Sequence, residues 1–166
     1  EMAFKGGLSF NLGDVLVPRD PKGNDRDQVK AIAAGQGDVA IVNSYYIGLL
    51  LSSEKEEELK AGKSVGEFFP NQGENEGGSH INISGIGLAK NAPNKENAIK
   101  LVEFLTGVSA QNRYVNTSYE YSVNPLVKPA EIVGSWGDFK RDSLDLNQLG
   151  VHRNSAIEIF DKSAWK

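Results

Sequence analysis

Cysteine is absent from the 166 residues of this chain, and only two histidines are present. Disulfide bonds, thiolate metal sites and a cysteine nucleophile are therefore excluded. Oxygen and imidazole are the ligands that remain available for a metal ion. The absence of cysteine does not by itself indicate the compartment in which the protein works.

The sequence also lacks an excess of positive charge, long apolar runs and catalytic motifs. Its 18 Lys and Arg residues are interspersed with 22 Asp and Glu residues, giving a formal net charge of -4, so the basic stripe of a nucleic-acid-binding surface is missing. No apolar run approaches the roughly 20 residues that span a bilayer. Neither a nucleophile elbow, a P-loop, a zinc-protease motif nor a complete dinucleotide fingerprint occurs. We expect a binding protein that is not an enzyme, does not span a membrane and does not bind nucleic acid.

Hydrophobic residues make up 39% of the chain, which is enough for one sizeable core. Residues 1–20 contain three glycines and a proline without a sustained period, so we predict an irregular or truncated segment there. From residue 21 to residue 166, helical patterns alternate with short apolar runs, which indicates an α/β fold with an open sheet. In such folds, ligands bind at the carboxyl ends of the strands.

Periodicity and turn residues predict the individual elements. Asn24 can cap the first helix, and Asp27 lies three residues further on. A polar, glycine-rich loop is expected at 71–78. The predicted helices cover 24–34, 47–61, 93–106, 109–115, 136–141 and 155–164, and the predicted strands cover 38–43 and 80–90.

Tyr45 and Tyr46 follow the predicted strand 38–43 at its carboxyl end. Two successive phenols are unusual for packing alone, because each buried hydroxyl needs a hydrogen-bond partner. Ferric iron is a small, hard cation that favours anionic oxygen, which a phenolate supplies. Tyrosine titrates near pH 10, so the metal must displace a proton and binding should weaken as pH falls. The residues alone leave two interpretations open: a ferric site, or one packed ring beside one hydrogen-bonded ring.

The stretch 37–48, which contains Tyr45 and Tyr46, resembles the tyrosine-pair region of bacterial iron(III) ABC-transporter periplasmic solute-binding proteins, the ferric-binding protein family. The resemblance covers residues 21–166 and implies a periplasmic-binding-protein-like (type II) lobe, with a mixed open sheet and flanking helices. That lobe corresponds to the C-terminal lobe of a two-lobed protein, and the first lobe is absent. The flanking motifs that match in the same order are 21–28, 68–72, 80–85, 91–95, 103–106 and 119–121.

The resemblance implies that Tyr45 and Tyr46 ligate Fe(III) and that the protein delivers iron to an inner-membrane ABC permease. It also implies a periplasmic location, or an extracytoplasmic one with a membrane anchor in the full-length form. A synergistic anion such as carbonate or phosphate can accompany the iron, and Asn24 and Asn43 are the candidates to hold it. The alternative for these two residues is structural, because Asn24 can cap a helix and Asn43 can close a strand.

The resemblance gives no ligand role to His80, Tyr119 or Tyr121, and His152 is expected at the surface. Fe(III) prefers more donors than two phenolates supply, and the missing first lobe or another chain would complete the site. We therefore expect this chain alone to bind iron weakly. An alternative function keeps the fold and changes the ligand to a thiamine, phosphonate, sulfate or polyamine-like molecule, on which paired tyrosines could stack.

Overall fold

The computed structural model describes the backbone of residues 2–4 and the whole of residues 22–163. In these residues, three short strands form one sheet in the order β2-β1-β3, where β1 is Met2–Phe4, β2 is Val39–Ile41 and β3 is Gly66–Phe68. Both neighbours pair antiparallel with β1, and Ala3 lies opposite Ala40 and Glu67. The pairings of the described strands are thus antiparallel. The strands β2 and β3 do run in the same direction, but β1 separates them.

The opening segment 1–20 contributes the central strand, although the sequence indicates an irregular region. A strand of three residues is too short to show the alternating pattern from which strands are recognised. Residue 1 and residues 5–21 lie outside the described residues, so the predicted domain boundary after residue 20 stays a prediction.

The first helix, α1 (Asp25–Ala33), begins at the predicted cap. The Asn24 side chain accepts a hydrogen bond from the backbone N–H of Arg26 at 3.0 Å, and the Asp27 carboxylate accepts one from the Asn24 N–H at 2.9 Å. This reciprocal pair satisfies two backbone donors that the helix itself leaves unpaired. Val29 and Ile32 form the buried face, as the spacing predicts.

Two helices replace the single predicted helix over 47–61. They are α2 (Tyr45–Leu51) and α3 (Glu56–Lys63). The break contains Ser53, whose hydroxyl accepts a hydrogen bond from the Lys55 N–H at 3.2 Å and donates one to Glu58 at 2.7 Å. Serine competes in this way with helical hydrogen bonding, and the apolar-to-charged change in the sequence marks the same point.

The core of this region is a cluster of four buried side chains from α1, from α2 and from the residue that follows β2. These side chains are Val29, Val42, Ile47 and Leu50. Because α2 begins at the tyrosine pair, the same packing that stabilises the region also fixes the start of α2.

The remaining helices follow in a largely helical second half. The predicted helices around 93–106 and 109–115 are confirmed, with Gly107 between them, whereas the helix predicted at 136–141 is wrong. Residues 137–140 have no regular secondary structure; Phe139 stacks on Phe69 with ring centroids 4.2 Å apart, and the Lys140 N–H donates to Gln72 at 2.6 Å. The observed helices are α4 (Lys95–Thr106), α5 (Val108–Ser118), α6 (Glu131–Gly134), α7 (Asn147–Val151) and α8 (Arg153–Lys162).

The strand predicted at 80–90 is also wrong. A single parallel bridge joins Ser79 to Arg141, and the described part of the chain provides no ladder for residues 80–90. The side chains of Ile83 and Ile86 are 62% and 54% exposed. The alternating pattern is present, but strand formation requires a neighbouring backbone that can accept and donate hydrogen bonds.

Candidate metal centre

The tyrosine pair forms the first turn of α2, and three residues, 42–44, separate it from β2. The Tyr46 N–H donates to the Asn43 carbonyl at 3.1 Å, and the Ile47 N–H donates to the Ser44 carbonyl at 2.9 Å. These bonds close the turn that joins the strand to the helix. Both tyrosines therefore stand just past the carboxyl end of the strand, where the sequence predicts a ligand site.

The two rings lie against each other. Their centroids are 4.2 Å apart with an interplanar angle of 31°, and both side chains are half-buried. The Arg26 guanidinium lies 5.9 Å from the centroid of the Tyr46 ring, within the range of a cation–π interaction. The pair is thus neither two core rings nor two free surface rings.

The pKa of Tyr45 is raised to about 12, first by its hydrogen bond with Tyr46 and then by burial. Negative charge on Tyr46, Asp25 and Glu120 raises it further, because a phenolate beside other anions is disfavoured. At neutral pH, Tyr45 therefore carries its proton. A cation that binds here must displace that proton.

A cleft of about 1010 Å³ opens beside the pair. Its lining includes Asp25, Asn43, Tyr45, His80 and Glu120, together with residues of the segment 81–86. Tyr46 and Asn24 are not among the lining residues. The two carboxylates outnumber the single Arg141 guanidinium that also lines the cleft, and this balance favours a cationic ligand.

Asn24 and Asn43, the two candidate anion ligands, have different surroundings. The Asn24 side chain caps α1, whereas Asn43 lines the cleft and donates its backbone N–H and its amide Nδ2 to the Asp25 carboxylate. The structure brings Asn43, Tyr45 and Tyr46 together. Asn24 lies outside this group, at the N-terminus of α1. The anion roles of both residues stay predictions.

A match to a protein-family model identifies the family of this chain. The family model for bacterial extracellular solute-binding proteins matches residues 8–112. This chain belongs to that family.

Several members of the solute-binding family resemble the chain closely. Iron uptake protein A1 of Synechocystis sp. is 42% identical over 149 residues, which are 89% of this chain and 41% of that protein. A Trichodesmium FutA (IdiA) structure in complex with iron and citrate matches with a TM-score of 0.84 and 44% identity, over 89% of this chain and 46% of that chain. The ferric binding protein of Campylobacter jejuni matches with a TM-score of 0.81 and 35% identity, over 87% and 45% of the two chains.

These matches confirm the predicted resemblance to iron(III) solute-binding proteins and the type II periplasmic-binding-protein-like fold class. The chain spans less than half the length of these relatives. Of the helices described, none has the length and apolar character needed to cross a membrane. Residues 22–163 contain no cluster of three or more His, Asp or Glu side chains suited to a metal ion.

Three residues near the site were missed by sequence reasoning: Asp25, Glu120 and Gly48. The glycine matters because a Cβ there would lie 2.5 Å from the Tyr119 Cβ, so Gly48 allows Tyr119 to pack directly on α2. Tyr119 itself has a left-handed backbone with φ of 58°. This contact brings Glu120 to the cleft, where it accepts hydrogen bonds from Ser118 at 3.1 Å and Ser84 at 3.4 Å.

Local sequence carries little signal for these contacts, since Asp25 is 18 residues from its partner Asn43 and Gly48 is 71 from Tyr119. The two histidines were considered in the sequence analysis. His152 is exposed, as predicted. His80 is exposed at the cleft, and its predicted lack of a ligand role stays a prediction.

Proposed function

We propose that this chain binds ferric iron through the phenolate oxygens of Tyr45 and Tyr46. The observation that carries the proposal is the contact of the two rings, 4.2 Å apart at their centroids, at the start of α2. Asp25 and Glu120 line the adjoining cleft. Phenolate and carboxylate oxygens together suit a small, hard cation.

The electrostatics of the cleft favour a cation over an anion. When no cation is present, the charges of Asp25 and Glu120 help to keep Tyr45 protonated. When a trivalent cation arrives, the same charges attract it, and its positive charge stabilises the phenolates that it creates. Each phenolate bond expels one proton, so ferric binding weakens as pH falls.

Two phenolates do not complete the coordination of Fe(III). The remaining donors would come from water, from an anion, from the other lobe of a two-lobed protein or from another chain. Asn43 is the better placed candidate for an anion such as carbonate or phosphate, because it lines the cleft and an amide nitrogen has a second hydrogen besides the one given to Asp25. Asn24 is the other candidate, although its side-chain oxygen already caps α1.

The transport role rests on the family and on the named relatives. Solute-binding proteins close on a ligand by a hinge between two lobes. We propose that the protein captures iron in the periplasm, or in an extracytoplasmic space through a membrane-anchored full-length form, and delivers it to an inner-membrane ABC permease. This chain would contribute the tyrosine-bearing lobe and no catalytic step.

Replacement of the tyrosines tests the metal site. In a ferric citrate titration, we expect a visible phenolate-to-iron charge-transfer band that a competing chelator removes. Tyr45→Phe and Tyr46→Phe should each lose intensity, and the double variant should lose the band. Tyr114→Phe is the matched control, because Tyr114 lines the same cleft and should leave the band unchanged. A wild-type chain without a band at saturating ferric citrate would refute the proposal, and a band that resists the chelator would refute weak binding by the isolated chain.

A polyamine-like ligand is the alternative that a specific observation supports. Paired tyrosine rings beside two carboxylates could hold an organic cation by cation–π and charge interactions. Sulfate and phosphonate could contact Arg141 but would face both carboxylates as anions, so they are less favoured. Metal analysis of the purified protein, with competition between ferric citrate and spermidine, separates these ligands. Spermidine that binds while iron does not would favour the alternative.

A further inference from the structure

The Asp25 carboxylate accepts two hydrogen bonds from Asn43, which lies 18 residues away in the sequence. Its Oδ2 accepts a hydrogen bond from the Asn43 backbone N–H at 2.7 Å and a second from the Asn43 Nδ2 at 3.0 Å. Both bonds are partly buried, and both have a charged acceptor, which strengthens them relative to neutral pairs. Asn43 is thus fixed at the backbone and at the side chain by the same oxygen.

Asp25 is not needed to cap the helix that carries it. Asn24 and Asp27 complete the capping box of α1, so the Asp25 side chain can extend toward the end of β2. Behind this contact, Val29 of α1 packs with Val42 and Ile47 in the buried cluster. The cluster therefore gives Asp25 a rigid base.

Asn43 in turn sets the geometry of the tyrosine pair. Its carbonyl accepts the hydrogen bond from the Tyr46 N–H, and only Ser44 separates it from Tyr45. A shift of Asn43 would move the turn from which both phenols project. Sub-ångström changes of this kind matter at a metal site, because ligand atoms must match the preferred coordination distances closely.

We propose that Asp25 is a positioning residue of the iron site. It holds Asn43, and through Asn43 it holds the turn that presents Tyr45 and Tyr46 to the cleft. It also orients the Asn43 carboxamide, since an ionised carboxylate only accepts hydrogen bonds and therefore faces the amide nitrogen. The Asn43 amide oxygen then points away from Asp25. This inference rests on the proposed ferric site.

Two variants and one control test the role of Asp25. Asp25→Ala removes both hydrogen bonds, and Asp25→Asn keeps the shape while removing the charge. Asp27→Asn is the control, because it makes the same charge change in the same turn of α1 without a hydrogen bond to Asn43. The measurements are the ferric citrate titration of the charge-transfer band and the hydrogen-exchange rate of the Asn43 backbone amide in the metal-free chain.

We expect Asp25→Ala to weaken apparent ferric affinity by about tenfold or more, as loss of an outer-shell partner does at other metal sites. Asp25→Asn should have a smaller effect, and Asp27→Asn should stay within about twofold of wild type. Exchange of the Asn43 amide should accelerate in Asp25→Ala and not in Asp27→Asn.

Three outcomes would overturn the inference: wild-type affinity in Asp25→Ala, an equal loss in Asp27→Asn, or unchanged exchange of the Asn43 amide in Asp25→Ala. An absent band in the wild-type chain would refute the ferric site itself. In that case, the exchange rates would still show whether Asp25 holds Asn43.

Discussion

Two apolar regions of this lobe have similar sequence patterns and different burial. In the tyrosine-bearing region, α1, β2 and α2 enclose a core in which Val29 and Leu50 are fully buried. In the second region, the segment 81–88 and α4 carry an equally regular apolar pattern, yet Ile83 and Phe104 are 62% and 61% exposed. No residue of α4 is buried in the described structure.

The difference shows that an apolar pattern indicates which face of an element can be buried, but not whether another element is present to cover it. The four core side chains of the first region lie within 22 residues of chain, from Val29 to Leu50. The second region finds few partners in the described residues. Consequently, one wall of the cleft, which holds Asp25, Asn43 and Tyr45, stands on a packed core, and the facing wall from the segment 81–86 does not.

Truncation of one large apolar residue in each region should give the largest contrast. Leu50→Ala removes a fully buried side chain, and we expect a loss of about 2–5 kcal/mol in the free energy of unfolding. Phe104→Ala removes an exposed ring and should change that free energy by no more than about 0.5 kcal/mol. Urea denaturation of the two variants beside the wild-type chain measures both.

Equal losses in the two variants would break the comparison. That outcome would mean that the α4 face is covered in solution. A dependence of the Phe104→Ala effect on protein concentration would then identify a second copy of the chain as the cover.

The two helix starts extend the comparison to hydrogen bonding. Asn24→Ala removes the side-chain cap of α1 and should cost about 1 kcal/mol. Asn94 occupies the matching position before α4, but its side chain makes no capping hydrogen bond. Asn94→Ala should therefore lower the free energy of unfolding by only about 0.3 kcal/mol. Thermal unfolding of both variants checks the difference, and similar costs would contradict it. If Asn24→Ala also leaves ferric affinity unchanged, the proposed anion role of Asn24 is wrong.

What the sequence predicted depends on how local the physical cause is. The cap at Asn24, the strand before Tyr45 and the stop at Gly107 follow from neighbouring residues, and all three are observed. The strand at 80–90 and the helix at 136–141 were wrong, because pairing and ring stacking between distant segments decide those conformations. Asp25 received no prediction, because its hydrogen bond to Asn43 joins residues 18 positions apart and forms only in the folded chain.

The smallest and most specific effect concerns the pKa of Tyr45. The hydrogen bond with Tyr46 is the largest cause of its rise to about 12, so Tyr46→Phe should lower the Tyr45 pKa toward its ordinary value, about 10. Since the folded chain raises this pKa, the resulting stabilisation is present below about pH 10 and is lost as pH rises through about 12.

Carbon NMR of labelled tyrosine resolves this titration residue by residue, and Tyr114→Phe serves as the control that should leave Tyr45 unchanged. A Tyr45 pKa that stays near 12 in Tyr46→Phe would show that burial and the carboxylates of Asp25 and Glu120 dominate. The packed wall of the cleft, rather than the contact of the two phenols, would then determine the pKa of Tyr45, whose proton iron must displace.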